Sequence, residues 1–305
     1  MNRIILTGGS GFIGNHLLNV LLNNHEDIYV VEHKKKIDDV KRCQVIRGGI
    51  KALNAEMIND IRPDIVFHCA RPVVPGLRRT GRKIAAYKAE KLNSKLITGL
   101  KNSNVQPNLV FASGSLMYGN SKEAHSENSP VNPISFARQY SKGEKPLVSA
   151  CLRNAYPVHI LRFPWILGDG SWFKWFYMDI MKKYRVIPSF GDMKNKMQFI
   201  DVHDAADLMR IYAIKAPAPG IYNVFSDQIL RQEDFVNRLS QIFQLPVKNH
   251  EEIFTRQMEK EALEAFTSNI ILKTNYPNIL NKYKVKSLDN FLCSFYETHK
   301  NWFIR

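Results

Sequence analysis

Residues 3–14 read Arg3-Ile4-Ile5-Leu6-Thr7-Gly8-Gly9-Ser10-Gly11-Phe12-Ile13-Gly14. The apolar run 4–6 reads as a buried strand. It leads into Gly8, Gly11 and Gly14, and then into Leu17, Leu18, Val20, Leu21 and Leu22, whose spacing is that of a helix. A strand, a glycine-rich turn and a helix make a site for a dinucleotide pyrophosphate. The first glycine lets the chain turn sharply. The second lets backbone approach the diphosphate, and the third lets helix and strand pack closely. Unpaired amides and the dipole of the first helical turn favour an anion there. A second strand over 28–31 ends in Glu32, about 20 residues on, where a ribose-binding acid belongs.

The gross composition sets the frame. The chain has 305 residues, 45% of them hydrophobic, which is ample for a large core in one or two domains. No apolar run approaches the roughly 18 residues of a membrane span, and no leader pattern opens the sequence. A cytoplasmic protein is the expectation. Cys43, Cys69, Cys151 and Cys293 are scattered, which argues against a zinc site or a disulfide framework. The net charge is +15. Part of it is local: Arg71, Arg78, Arg79, Arg82, Lys83, Lys88, Lys91 and Lys95 face Glu90 alone, and Lys34, Lys35, Lys36, Lys41 and Arg42 form a second group. Such runs are solvated faces or polyanion-binding surfaces. The chain has no paired Cys/His finger and no aromatic RNA-binding signature, so nucleic acid is not an expected partner.

Strands and helices alternate through the first half. Strands are expected at 43–47, 65–69, 109–112 and 158–163, with helices around 53–60, 83–102 and 143–154. This alternation specifies parallel strands with crossover helices, an α/β Rossmann-type doubly wound sheet. Residues 165–188 are rich in aromatics and read as core, as a lid, or as the wall of a pocket. A strand over 198–202, a helix over 205–214, a strand over 221–225 and a helix over 233–243 follow, and the remainder reads as helical. The expected domains are a dinucleotide-binding domain of 1–164, to which 196–225 returns, and a smaller substrate lobe of 165–195 and 226–305.

Taken together, these residues resemble the extended short-chain dehydrogenase/reductases, specifically the NAD-dependent epimerase/dehydratase group. The resemblance rests on residues 7–14, on Pro63-Asp64-Ile65-Val66-Phe67-His68-Cys69-Ala70, and on Ser113-Gly114-Ser115-Leu116-Met117-Tyr118-Gly119. It continues through 127–133, Ile160-Leu161-Arg162-Phe163-Pro164 with Gly168, Phe199-Ile200-Asp201-Val202-His203-Asp204 and Gly220-Ile221-Tyr222-Asn223-Val224. It implies a nicotinamide cofactor held by Gly8, Gly11, Phe12, Ile13, Gly14, Glu32, His33, Cys69, Ala70, Arg71, Ala112 and Phe163. It also implies a nucleotide sugar as substrate, transient hydride transfer at a sugar carbon, and the homodimer common among relatives. Glu32 favours NAD by repelling a 2′-phosphate; His33 and the lysines at 34–36 keep NADP open.

The family's catalytic set is altered here. Its Ser/Thr lies four positions before the Tyr of Tyr-Gly, and counting back from Tyr118 reaches Gly114. Ser113 and Ser115 flank that position. The family's Tyr-x-x-x-Lys admits two alignments. Aligning on Glu144-Lys145 and Arg162 puts Phe136 in the tyrosine position and Tyr140 in the lysine position. Aligning on Tyr140 puts Glu144 where lysine belongs, and a carboxylate there disfavours a phenolate. The candidate catalytic residues are Tyr140, Ser113, Ser115 and Lys142, with Lys145 and Arg138 as further cations. Tyr87/Lys91 and Tyr118/Lys122 match the spacing but lie outside the expected segment. Gly49 stands where relatives often carry an adenine-binding aspartate. His68 is expected to be a packed core histidine, Arg162 and Asp204 to organise the lobes, and Asn223 to hydrogen-bond locally. Three readings stay open: a nucleotide-sugar epimerase, dehydratase or reductase; a dinucleotide-binding sensor or assembly partner without hydride chemistry; and a basic adaptor for an acidic partner or membrane surface.

Overall fold

The computed structural model describes residues 2–33, 35–37, 42–76, 78–254 and 258–302; Lys34 and Lys41 of the second basic group lie outside them. The chain divides into two compact units. The first is Met1–Gly114, Ala137–Arg162 and Ala205–Tyr222; the second is Ser115–Phe136, Phe163–Asp204 and Asn223–Arg305.

The first unit is built on a seven-stranded sheet. The chain runs through β1 (Arg3–Thr7), α1 (Phe12–Asn23), β2 (Asp27–Glu32), β3 (Gln44–Arg47), α2 (Ala55–Ile61), β4 (Ile65–His68), α3 (Arg78–Lys101), β5 (Asn108–Gly114), α4 (Ser135–Leu152) and β6 (Val158–Phe163). The strand order is β10-β6-β5-β4-β1-β2-β3, β10 being Gly220–Asn223. β1 pairs in parallel with β2 and β4, β2 with β3, and β4 with β5. Parallel neighbours need crossovers, and the helices between the strands supply them. One flank packs Ile5, Val66, Leu96, Leu100, Leu109, Leu147, Val158 and Ile160 into a closed core. Order and register place Thr7, Glu32 and His68 at neighbouring strand ends, the edge of such a sheet where ligands bind.

Helix α4 starts well before the expected position 143. Gly143 lies inside it because a Cβ there would come within 2.7 Å of the Ala89 Cβ on α3. Close helix packing overrides a poor propensity. Pro146 also lies inside α4, where it removes one backbone donor.

The second unit carries β7 (Trp165–Leu167), a π-helical turn Lys174–Met178 running into α5 (Asp179–Tyr184), β8 (Ile187–Ser189), β9 (Lys196–Asp201), the start of α6 (Val202–Lys215), β11 (Ile229–Arg231), α7 (Gln232–Phe243) and β12 (Val247–Asn249). β9 lies between β11 and β7 in a three-stranded sheet of its own, and β12 pairs with β8. Residues 115–136, 163–164, 196–204 and 223–225, expected from sequence in the dinucleotide-binding domain, fall in this unit. Ser121 and His125 donate backbone bonds to Asn269 and Ile271, at 2.9 and 2.7 Å, which ties 115–136 to the C-terminal part. The aromatics of 165–188 are core: Phe173 and Tyr177 are fully buried, packed with Phe199, Phe235 and Phe266, and Trp165, Trp172 and Phe176 lean on the same cluster. The tail is less uniformly helical than expected, since β12 and a bridge from His125 to Leu272 interrupt it.

Candidate active site

The glycine turn has a shape that larger residues cannot occupy. Gly8 has φ of 78°, and a Cβ on it would lie 2.6 Å from the Ala70 nitrogen. A Cβ on Gly14 would lie 2.1 Å from the Gly8 carbonyl oxygen, closing the approach of α1 to the turn. The Gly11 amide donates to the Gly8 carbonyl at 2.9 Å. Gly11 is also the N-cap of α1 and brings no side chain to the first amides. Lys35 Nζ donates to the Ser10 carbonyl at 3.2 Å, setting a positive charge beside the turn.

Glu32 closes β2 half-buried. Its Oε1 accepts from the Ile37 amide at 3.1 Å, and its Oε2 is 4.0 Å from Arg47 Nε. A Cβ on Gly49 would lie 3.0 Å from the Cδ2 of the exposed His33. Gly49 also has a φ of 71°, a left-handed backbone that suits glycine.

A buried polar chain supports the turn. Thr7 Oγ1 and His68 Nδ1 are 2.7 Å apart, His68 Nε2 and Asn93 Oδ1 are 2.9 Å apart, and Asn93 Nδ2 donates to the Gly143 carbonyl at 2.8 Å. Burial pushes the His68 pKa down to about 4, so the ring is neutral and structural. Thr7 and Asn93 were not singled out from sequence. A buried asparagine inside the polar helix 78–101 carries no periodic signal that marks it. Cys69 is pushed up to about 12 by burial, which makes it an inert thiol. Ala112 is half-buried in β5 and Phe163 fully buried at the end of β6.

Helix α4 sorts the catalytic candidates. Glu144 is buried. Ser113 Oγ donates to its Oε2 at 2.6 Å, and Arg162 Nη2 lies 3.4 Å from its Oε1. Burial pushes the Glu144 pKa up, while Arg162 and Ser113 pull it down. The cluster clamps α4 onto β5 and β6. It also fixes the register of the helix, because tyrosine one turn before Glu144 is Tyr140, on the same side. Arg71, just past the end of β4, places its guanidinium 4.4 Å from the centre of the Tyr140 ring. Two residues along a helix is about 200° around it. Lys142 accordingly lines a groove with Lys83, Ala86, Tyr87, Glu90 and Gln139, on the α3 side and away from Tyr140. The structure thus brings Arg71 to Tyr140 and Ser113 to Glu144, and places Lys142 in the groove on the α3 side.

The remaining candidates have structural partners. Ser115 is buried in a 3₁₀ turn, 115–117, that its carbonyl closes onto the Tyr118 amide at 2.9 Å. Tyr118 OH donates to Asn223 Oδ1 at 2.8 Å, and its ring stacks on His125. Lys91 Nζ rests 4.5 Å over the exposed Tyr87 ring. Asn223 corrects its expectation of local bonding. Its amide donates to Glu127 at 3.1 Å and its side chain donates to the carbonyls of His125 and Lys273, at 3.0 and 2.8 Å. These bonds join segments far apart in sequence. Arg162 and Asp204 each organise their own unit; Asp204 accepts from the Lys286 amide at 2.8 Å and from Tyr283 OH at 3.1 Å.

The profile of the NAD dependent epimerase/dehydratase family matches residues 4–224. A Bacillus subtilis (strain 168) protein named as an uncharacterized UDP-glucose epimerase is 25% identical over 224 residues, which is 66% of this chain and 69% of the relative. Among solved structures, an NAD-dependent NDP-hexosamine 5,6-dehydratase of tunicamycin biosynthesis matches with a TM-score of 0.79 at 18% identity, over 98% of each chain. A protein solved with UDP-glucose and NAD matches with a TM-score of 0.76 at 18% identity, over 98% of this chain and 99% of the other. At such identities the structural likeness is one of fold.

Proposed function

The chain belongs to the NAD-dependent epimerase/dehydratase family, and from that premise we propose that it binds NAD at the Gly8–Gly14 turn and acts on a nucleotide-activated sugar. The observation that carries this reading is the glycine cradle, where a Cβ at Gly8 or Gly14 would collide with backbone. That cradle and the uncapped first turn of α1 fit a diphosphate. Glu32, at the end of β2, would accept the adenosine ribose hydroxyls, and its charge opposes the extra phosphate of NADP. The named relatives, a UDP-glucose epimerase and a protein holding UDP-glucose, support a nucleotide sugar.

When bound, NAD supplies a hydride acceptor and donor. The chain's own part is proton handling and positioning. Tyr140 is the hydroxyl on the inward side of α4, and Arg71 sets a cation against its ring. In this reading Tyr140 exchanges the proton of the sugar hydroxyl, with the Arg71 guanidinium packed on the face of its ring. Ser113 donates its hydroxyl proton to Glu144, which leaves its oxygen as an acceptor. Lys142 has no part in this set.

The test is calorimetric titration with NAD and NADP, followed by turnover of UDP- and dTDP-sugars. The expected result is NAD binding at least tenfold tighter than NADP, with sugar turnover reduced about a hundredfold or more in Tyr140→Phe. An absence of NAD binding overturns the whole reading. Binding with turnover unchanged in Tyr140→Phe overturns the role of the tyrosine alone.

A further inference from the structure

Arg71 is a cation at the ligand edge of the sheet with no carboxylate of its own. It stands just past the end of β4, and its guanidinium lies 4.4 Å over the centre of the Tyr140 ring. Among the described residues it makes no other hydrogen bond, ion pair or ring contact. A ring contact neutralises no charge, and a guanidinium keeps its planar fork of N–H donors for an oxyanion. The carboxylates at this edge are already committed. Glu32 accepts from the Ile37 amide and faces Arg47 at 4.0 Å, and Glu144 is buried against Ser113 and Arg162. Arg71 is exposed, so its fork is open to a ligand. Pro72 follows it, and the residue before a proline is held in extended backbone. With its side chain resting on Tyr140, binding orders little that is not ordered already.

We propose that Arg71 is a specificity-determining residue that grips the carboxylate of a uronic sugar, so that the substrate is a nucleotide sugar acid and not a neutral hexose. The inference rests on the reading in which Tyr140 exchanges the proton of a sugar hydroxyl. In a uronic sugar the carboxylate is borne by a ring carbon next to one that carries a hydroxyl. A phenol and a guanidinium in contact match that pair of neighbouring groups. Arginine meets a carboxylate with two parallel N–H bonds, whereas a neutral sugar leaves its charge without a counterpart. In the proposed function the NAD diphosphate lies elsewhere, at the Gly8–Gly14 turn between β1 and α1, beside the Lys35 ammonium. The phosphates of the sugar nucleotide are the other source of an oxyanion, and the experiment separates the two.

The experiment is calorimetric titration of the full chain, saturated with NADH so that no sugar is oxidised, with UDP-glucuronic acid and with UDP-glucose. The wild type is expected to bind UDP-glucuronic acid about tenfold or more tighter than UDP-glucose. Arg71→Gln removes the preference, weakening UDP-glucuronic acid by about tenfold and leaving UDP-glucose within about twofold. Arg71→Lys recovers part of it, since an ammonium keeps the charge without the fork. Arg71 is exposed, and melting of both variants at the wild-type temperature excludes misfolding. A preference that survives Arg71→Gln overturns the proposal. Equal weakening of both sugars in that variant also overturns it and assigns the arginine to the phosphates, and a tenfold loss of NADH affinity assigns it to the cofactor instead. A wild type that binds no NADH overturns the proposed function and this inference with it; NADH binding without a preference between the sugars overturns this inference alone.

Discussion

The glycine turn and the first half of α4 sit at the same edge of the sheet but keep different things. At the turn, backbone geometry itself makes the site, and every position that geometry restricts holds glycine. On α4, the parts that hold the helix in place are intact: Gly143 against Ala89, and Glu144 with Ser113 and Arg162. The positions where the sequence leaves the proton-handling set open, Phe136 and Tyr140, stand one turn apart on the side of the helix that Glu144 shares. The contrast teaches that a fold keeps what its packing enforces. A side chain that only meets a substrate is free to change without loss of structure.

The contrast can be broken at several points. Its largest expected effect is Gly14→Val, whose side chain would begin 2.1 Å from the Gly8 carbonyl. NAD affinity should fall on the order of a thousandfold or more, read by calorimetry; retained affinity would show that the turn is not the site. Next is Glu144→Ala, which leaves Arg162 buried without its carboxylate. A loss of about 3–5 kcal/mol in urea unfolding is expected, and a loss below 1 kcal/mol would remove the clamp from the account.

His68 gives a smaller, pH-dependent effect. Its native pKa is about 4, against roughly 6.5 in an unfolded chain. Between those values the unfolded state binds the extra proton, so stability is full above about pH 6.5 and declines as pH falls toward 4. About 2–3 kcal/mol should be lost by roughly pH 4.5. Urea unfolding of the wild type and His68→Asn across that window measures it, and equal slopes in both would refute it. The smallest effects separate the cations. Arg71→Gln should lower kcat/KM by about tenfold, while Lys142→Ala should leave it within about twofold. The reverse order would restore the lysine to the site.

Much of this was legible in the sequence. The alternation of apolar runs and helical periodicity specifies the doubly wound sheet, and the glycine spacing after the first strand specifies the turn, because both follow from local backbone geometry. The neutral, packed role of His68 could be read from its place at the end of a wholly apolar strand. The two alignments of α4 could not be resolved that way. Phe136, Tyr140 and Glu144 follow one another at four-residue spacing, so both alignments share one side of the helix; the Ser113–Glu144–Arg162 contacts with β5 and β6 turn that side inward without choosing between them.

The sequence by itself determined the fold and the place of the glycine turn, since those depend on patterns within about a dozen neighbouring residues. Tertiary structure alone decided that Arg71, and not Lys142, neighbours Tyr140, that Asn93 carries the chain of bonds from Thr7 to Gly143, that Asn223 joins distant segments, and that 115–136 and 196–204 belong to the second unit. The physical reason is common to all four. Each depends on groups brought together from separate segments, and no local periodicity records which distant side chain will arrive.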